Sequence, residues 1–144
     1  MAEPFIDTDV LIRFLTGDDL EKQAAVAALL EQVEQGKLTL AAPDTVIADA
    51  VFVLSSKRLY NFPRDQVAVL LTTLLGLPGL HIQNRKAVLR ALELYASNNL
   101  DFGDTLIAAS MEQEGATILY SYDKGFDRLS GITRQEPEKP AAEK

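Results

Sequence analysis

Short β-compatible apolar runs alternate with longer helical segments along this 144-residue chain, and no other feature restricts its fold as strongly. Pro4 to Ile6 reads as a brief strand, followed by a helix from Thr8 to Leu15 that Thr16-Gly17 ends. Asp18 or Asp19 caps a second helix reaching Gln35, with Gly36 as its stop. Lys37 to Ala41 is the next strand, and Pro43-Asp44 opens a helix that ends near Leu59. Asn61-Phe62-Pro63 breaks the chain before a helix from Arg64 to Leu75, which Gly76-Leu77-Pro78-Gly79 stops. Leu80 to Gln83 is a strand, Asn84 caps a helix to Ser97, and Phe102 to Glu114 is a helix that Gly115 terminates. Ala116 to Tyr120 is again a strand, Asp123 to Leu129 a helical turn, and Ile132-Thr133 a last edge strand. Strands separated by helices specify an α/β fold, a three-layer α/β/α sandwich around a parallel sheet. Residues 1–134 are expected to form one domain. Gln135 to Lys144 is Glu, Lys, Pro and Ala with nothing to bury, so the tail 135–144 is expected to be disordered.

Four aspartates stand at or inside apolar runs of four different segments. Asp7 follows Phe5-Ile6, and Asp49 sits within Val46 to Leu54, the most hydrophobic setting of any charge in the chain. Asp104 leads Thr105-Leu106-Ile107, and Asp123 follows Ile118 to Tyr122. Ionised carboxylates are seldom placed in such surroundings unless something pairs with them or coordinates them. Lys and Arg are scarce beside these four, which leaves a hard divalent cation as the expected partner. In open α/β sheets ligands bind beyond the C-terminal ends of the strands, where Asp7 and Asp123 fall. Acids converging there repel one another, and cations between them relieve the repulsion.

Composition narrows the chemistry. The absence of Cys excludes disulfides and thiolate metal sites, and His81 alone cannot build an imidazole zinc site. Oxygen ligands select Mg²⁺ or Mn²⁺. A net charge of −7 argues against broad, non-specific nucleic-acid binding, but a metal-loaded carboxylate cluster still attracts phosphate. Lys57-Arg58 and Arg85-Lys86 with Arg90 are local basic groups that read first as solvated helix faces. Met1-Ala2-Glu3-Pro4 lacks the basic opening of a signal peptide, and the apolar stretch Val67 to Leu80 is too short and too interrupted to span a bilayer. A cytoplasmic protein is expected.

At these residues the sequence resembles the PIN-domain ribonucleases, and most closely the VapC-type toxins of toxin–antitoxin pairs. Phe5-Ile6-Asp7-Thr8-Asp9-Val10-Leu11-Ile12 is similar to the family's opening motif, whose aspartate binds metal. Asp101-Phe102-Gly103-Asp104-Thr105 resembles its third motif, and Ser121-Tyr122-Asp123-Lys124-Gly125-Phe126 its fourth. The likeness spans roughly residues 3 to 133. It departs at Asp49, where the family usually has glutamate, at Gly125, where many relatives carry another acid, and at Asp9, which replaces Asn or Ser.

The resemblance implies a PIN-like nuclease domain over 1–134 that hydrolyses RNA with Mg²⁺ or Mn²⁺. It implies Asp7, Asp49, Asp104 and Asp123 as ligands and catalytic acids, with Asp101 and Asp9 as second choices. A bound metal lowers the pKa of water and offsets charge on the transferring phosphate, in keeping with that activity. Thr8 and Ser121 are expected to bond the backbone or the acids, and in the family such positions orient ligands or touch phosphate. Helix capping is the structural alternative for Asp7, Asp101, Asp104 and Asp123 taken singly.

Two other classes stay open. Asp7-Thr8-Asp9 is similar to the aspartate pair of haloacid-dehalogenase-like phosphatases, although Leu11 stands where those enzymes place Thr or Val. A PIN-fold protein with weak or lost catalysis, serving as a binding module, is the other. The helices Pro43 to Leu59 and Arg64 to Leu75 are apolar around much of their circumference, and core packing accounts for that as well as a partner does. A homodimer seam and a groove for an antitoxin segment are the partner-binding expectations.

Overall fold

The computed structural model describes residues 2–140, and its α-helices appear where the alternation of apolar and polar residues places them. In order they are α1 (Thr8–Leu15), α2 (Leu20–Glu34), α3 (Asp44–Ser55), α4 (Arg64–Leu75), α5 (Arg85–Ser97) and α6 (Phe102–Glu114). The strands are β1 (Leu40–Ala42), β2 (Leu80–Ile82), β3 (Ile118–Tyr120) and β4 (Thr133–Gln135). Each strand is short, so the helices carry most of the packing. Leu11 of α1, Ile47 and Leu54 of α3, Leu71 and Leu75 of α4, Leu92 of α5 and Leu80 of β2 are fully buried. Within each helix the buried positions recur at the spacing of one face. Burying a side chain of that size stabilises by about 1.5–3 kcal/mol.

The fold is α/β, of the three-layer α/β/α kind, and every strand pairing among the described residues is parallel. The strands fall into separate small sheets. β1 pairs with β2 in the register Leu40↔Leu80, Ala41↔His81 and Ala42↔Ile82. Pro4–Ile6 joins the other edge of β1 by a single bridge, Phe5↔Ala41, closed by Ile6 N–H to Ala41 O at 3.0 Å. β3 and β4 form the second sheet, with Ile118↔Thr133 and Tyr120↔Gln135 as partners. Ile118 and Tyr120 of β3 stay exposed, so that sheet is open to solvent on one face.

Several boundaries differ from the expected ones. α3 stops at Ser55, not near Leu59, because Ser56 turns to an extended conformation and Phe62 N–H closes back onto Leu54 O at 2.8 Å. Asp19 is the cap of α2, accepting from Lys22 N–H at 3.0 Å, while Asp18 is used elsewhere. Asn84 stands at the head of α5 but caps nothing with its side chain; it supplies a left-handed backbone with φ of 60°. The last strand is Thr133–Gln135, one residue later at its start and two at its end than Ile132-Thr133. Gln135 therefore belongs to the fold. Residues 136–140 of the expected tail carry no regular structure, and residues 141–144 lie outside the described residues. Gly79 precedes β2 where a Cβ would come within 2.7 Å of Val33 Cγ1, so only glycine lets α2 lie this close.

Candidate active site

The short segment Pro4–Ile6 delivers Asp7 to the N-terminus of α1, where its Oδ1 accepts from Thr8 N–H at 2.7 Å. The capping alternative holds for that one oxygen. Thr8 Oγ1 donates to Val46 O at 3.5 Å and so ties α1 to α3, the helix that carries Asp49. Asp49 is exposed, which corrects the expectation of a charge set among apolar side chains. α3 buries Val46, Ile47, Ala50, Val51 and Leu54, and Asp49 lies on the opposite face. The run is hydrophobic on both faces, and sequence alone could not say which one the acid occupied. Asp7, Thr8, Asp9 and Asp49 line one cleft of about 590 Å³.

A second group of acids forms around the head of α6. Asp101 stands at the N-cap but makes no capping bond with its side chain, so its carboxylate is not spent on the helix. Asp104 in the first turn is half-buried. Burial first, then the negative charges of Asp123 and Asp101, and then a hydrogen bond shared with Asp123, push the Asp104 carboxyl above its ordinary range. Asp123 follows β3 and caps the 3₁₀ turn Lys124–Arg128, accepting from Gly125 N–H at 2.8 Å. Ser121 Oγ accepts from Asp123 N–H at 3.0 Å, which aims the acid, and Arg134 fixes Ser121 O at 3.0 Å. A Cβ at Gly125 would lie 2.9 Å from Leu100 Cδ2 and 3.0 Å from Asp123 Oδ1. A side chain at that position would therefore require Leu100 or Asp123 to shift.

Asp7 and Asp49 thus share a cleft, and Asp104 is held against Asp123 and Asp101. Among the described residues no three His, Asp or Glu side chains come close enough to hold one metal ion.

Residues 5–132 match the PIN domain family, a span containing every acid named above. The chain belongs to that family. No curated protein matches it. PIN domains are generally metal-dependent nucleases and PIN nucleases bind RNA, so the coarse assignment is to a hydrolase of nucleic acid. The phosphatase reading of Asp7-Thr8-Asp9 is left without support. In this PIN domain the donor set suits a hard cation in kind, being all carboxylate, and Asp104 already carries the repulsion that a cation would relieve. In spacing, the Asp7–Asp49 and Asp104–Asp123 pairs remain two groups.

Two features of this PIN domain escaped sequence reasoning. Asp18, read there only as a possible cap, lines the cleft of Asp7 and Asp49. It takes a hydrogen bond from the Tyr60 hydroxyl, lies 3.0 Å from Thr16 Oγ1, and accepts from Arg13 at 3.3 Å. The two hydroxyls, and then the Arg13 charge, hold its carboxyl below the usual range. The second is Arg64, whose Nη1 donates to the carbonyls of Tyr95, Asn98 and Leu100 at 3.1, 3.0 and 2.6 Å. Its guanidinium also lies 4.3 Å from the centre of the Tyr95 ring. Arg64 pins the turn from which Asp101 and α6 depart. Arg90, by contrast, is engaged by Glu93 and Glu112 on the surface. No helix among the described residues is long and apolar enough to cross a membrane.

Proposed function

We propose that this PIN domain is a Mg²⁺- or Mn²⁺-dependent endoribonuclease, the toxin of a VapBC-type toxin–antitoxin pair, acting in the cytoplasm. The observation that carries the proposal is Asp104, half-buried against two further acids with no cation of the chain among the causes of its shift. A fold tolerates such repulsion at a cost in stability, and a metal ion removes that cost. Asp7, Asp49, Asp104 and Asp123 would hold the metal once the ion draws the two groups of acids together, with Asp101 and Asp9 acting through bound water. When bound, the ion supplies positive charge that activates water and offsets charge on the scissile phosphate. Thr8 through its backbone N–H and Ser121 through its Oγ orient Asp7 and Asp123, and the two hydroxyls would meet the phosphate.

The partner side of the proposal rests on apolar surface. Leu59 and Val69 are exposed, and a groove of about 590 Å³ lined by Leu30, Leu70, Leu74 and Leu77 runs between α2 and α4. A homodimer seam and an antitoxin segment would cover such surface. A basic side chain from the antitoxin, placed among the acids, would inhibit by occupying the cation's position.

The test is cleavage of single-stranded RNA in Mn²⁺, with EDTA as control. Asp7→Asn should abolish cleavage. Asp49 is exposed, so Asp49→Ala should change the metal-free stability by no more than about 0.5 kcal/mol while lowering activity. Asp49→Glu, which restores the reach of the usual glutamate, should preserve or raise it. Wild-type protein without Mn²⁺-dependent cleavage would instead favour the binding-module alternative. An unaltered rate in Asp49→Ala would remove Asp49 from the site.

A further inference from the structure

The cleft beside Asp7 and Asp49 has one wall that the acids do not explain. Phe52 lies three residues after Asp49 on the same face of α3 and is 72% exposed, with its ring in the cleft lining. Arg13 lines the same cleft and is the one cation among the described residues that do. Arg13 is not free to wander: Asp18 accepts from it at 3.3 Å, and Asp18 is itself fixed by Thr16 and Tyr60. Tyr60 in turn packs against Phe62 with ring centres 5.9 Å apart. An exposed aromatic ring and a positioned guanidinium therefore share one cleft with Asp7 and Asp49.

We infer that Phe52 and Arg13 form a nucleotide subsite, in which an unpaired base stacks on Phe52 and a backbone phosphate of the same strand meets Arg13. This rests on the ribonuclease reading and adds to it a place in the cleft for one base and one phosphate of the strand. A base within a duplex is already stacked on both faces and has none to offer Phe52, whereas a splayed base gains a platform. The cleft volume lies within the roughly 300–1,000 Å³ of sites that take small ligands, enough for a nucleotide. A second copy of the chain is the less suitable occupant. Seated on Phe52, it would also cover part of the acidic lining made by Asp7, Asp9, Asp18 and Asp49, and desolvating those charges opposes it. A nucleotide leaves those acids wet and brings a phosphate for Arg13.

The chain contains no Trp, so Phe52→Trp places a single indole in the cleft. Titrated in low salt with Mn²⁺ and read within the mixing time, before cleavage, its emission should be quenched by a single-stranded RNA oligonucleotide and not by the same strand annealed into a duplex. Phe52→Ala should weaken binding of that oligonucleotide about ten-fold by fluorescence anisotropy of a labelled RNA, and Phe52→Tyr should restore it. Emission left unmoved by single-stranded RNA overturns the subsite, and Mn²⁺-dependent cleavage by the wild type then shows whether the ribonuclease reading survives. Equal quenching by duplex, or unchanged affinity in Phe52→Ala, also overturns it. Emission that shifts with protein concentration in the absence of RNA assigns Phe52 to an interface between copies and overturns it too.

Discussion

Asp104→Asn should melt at a higher temperature than the wild type in metal-free buffer at neutral pH, and should lose the stabilisation that Mn²⁺ confers. The folded protein raises the Asp104 pKa, so it keeps a proton that the unfolded chain has already released. Between the unfolded and folded pKa values the native state holds more protons, and stability falls as pH rises through that window. Above it, both states are ionised and the native state bears the cost of burying the charge together with the repulsion from Asp123 and Asp101. Asparagine removes both at every pH. The variant's melting temperature should therefore exceed the wild type's at pH 7 and approach it as the pH is lowered toward the unfolded carboxylate range. Cleavage of RNA should drop by about 100-fold or more, since even residues that only support a ligand cost about 10–100-fold. A wild type that is the more stable at neutral pH without metal would mean that Asp104 is a structural acid. Scanning calorimetry at several pH values, with and without Mn²⁺, reads all of this.

Arg64→Ala should be the most destabilising single change at a charged position. The two hydrogens of Nη1 are shared among three carbonyls where α5 ends and the chain turns toward α6, and the guanidinium stacks on Tyr95. Hydrogen bonds to a charged group contribute about 1.5–3 kcal/mol each, and the carbonyls left behind are partly buried. Water will recover some of that, so a net loss of about 3 kcal/mol is expected, or roughly 10 °C in melting temperature. Because the same turn launches Asp101 and Asp104, the variant should also lose activity below its melting point. A loss under about 1 kcal/mol by urea denaturation would show that α5 and α6 hold the turn without Arg64.

What the sequence made legible, and what it hid, divides along physical lines. Helix positions were readable because a buried stripe repeats at helical spacing, as Val67, Leu71 and Leu75 do in α4. Asp7 and Asp123 were readable as residues that follow apolar strands, and the turn chemistry of Ser121 and Gly125 around Asp123 is local. Asp49 was misjudged, because α3 is apolar on both faces and its period does not announce which side meets the core. The division of the strands into two sheets was also hidden. Pairing of three-residue strands depends on long-range placement, to which local pattern contributes little. Arg64 and the Arg13–Asp18–Tyr60 group were invisible for the same reason, as their partners lie up to 42 residues away along the chain. Asp18 gave a false signal of its own, since acids before a helix usually cap it. The nearest available clue to the cleft wall was the spacing of Asp49 and Phe52 on one helix face.

Whether the two groups of acids serve one metal is the central question, and calorimetric titration of Mn²⁺ answers it most directly. Wild type should bind Mn²⁺, and Asp7→Asn and Asp104→Asn should each abolish that binding although the residues belong to different groups. Full Mn²⁺ affinity in Asp7→Asn, with loss only in Asp104→Asn, would contradict the account and confine any metal to the acids at the head of α6.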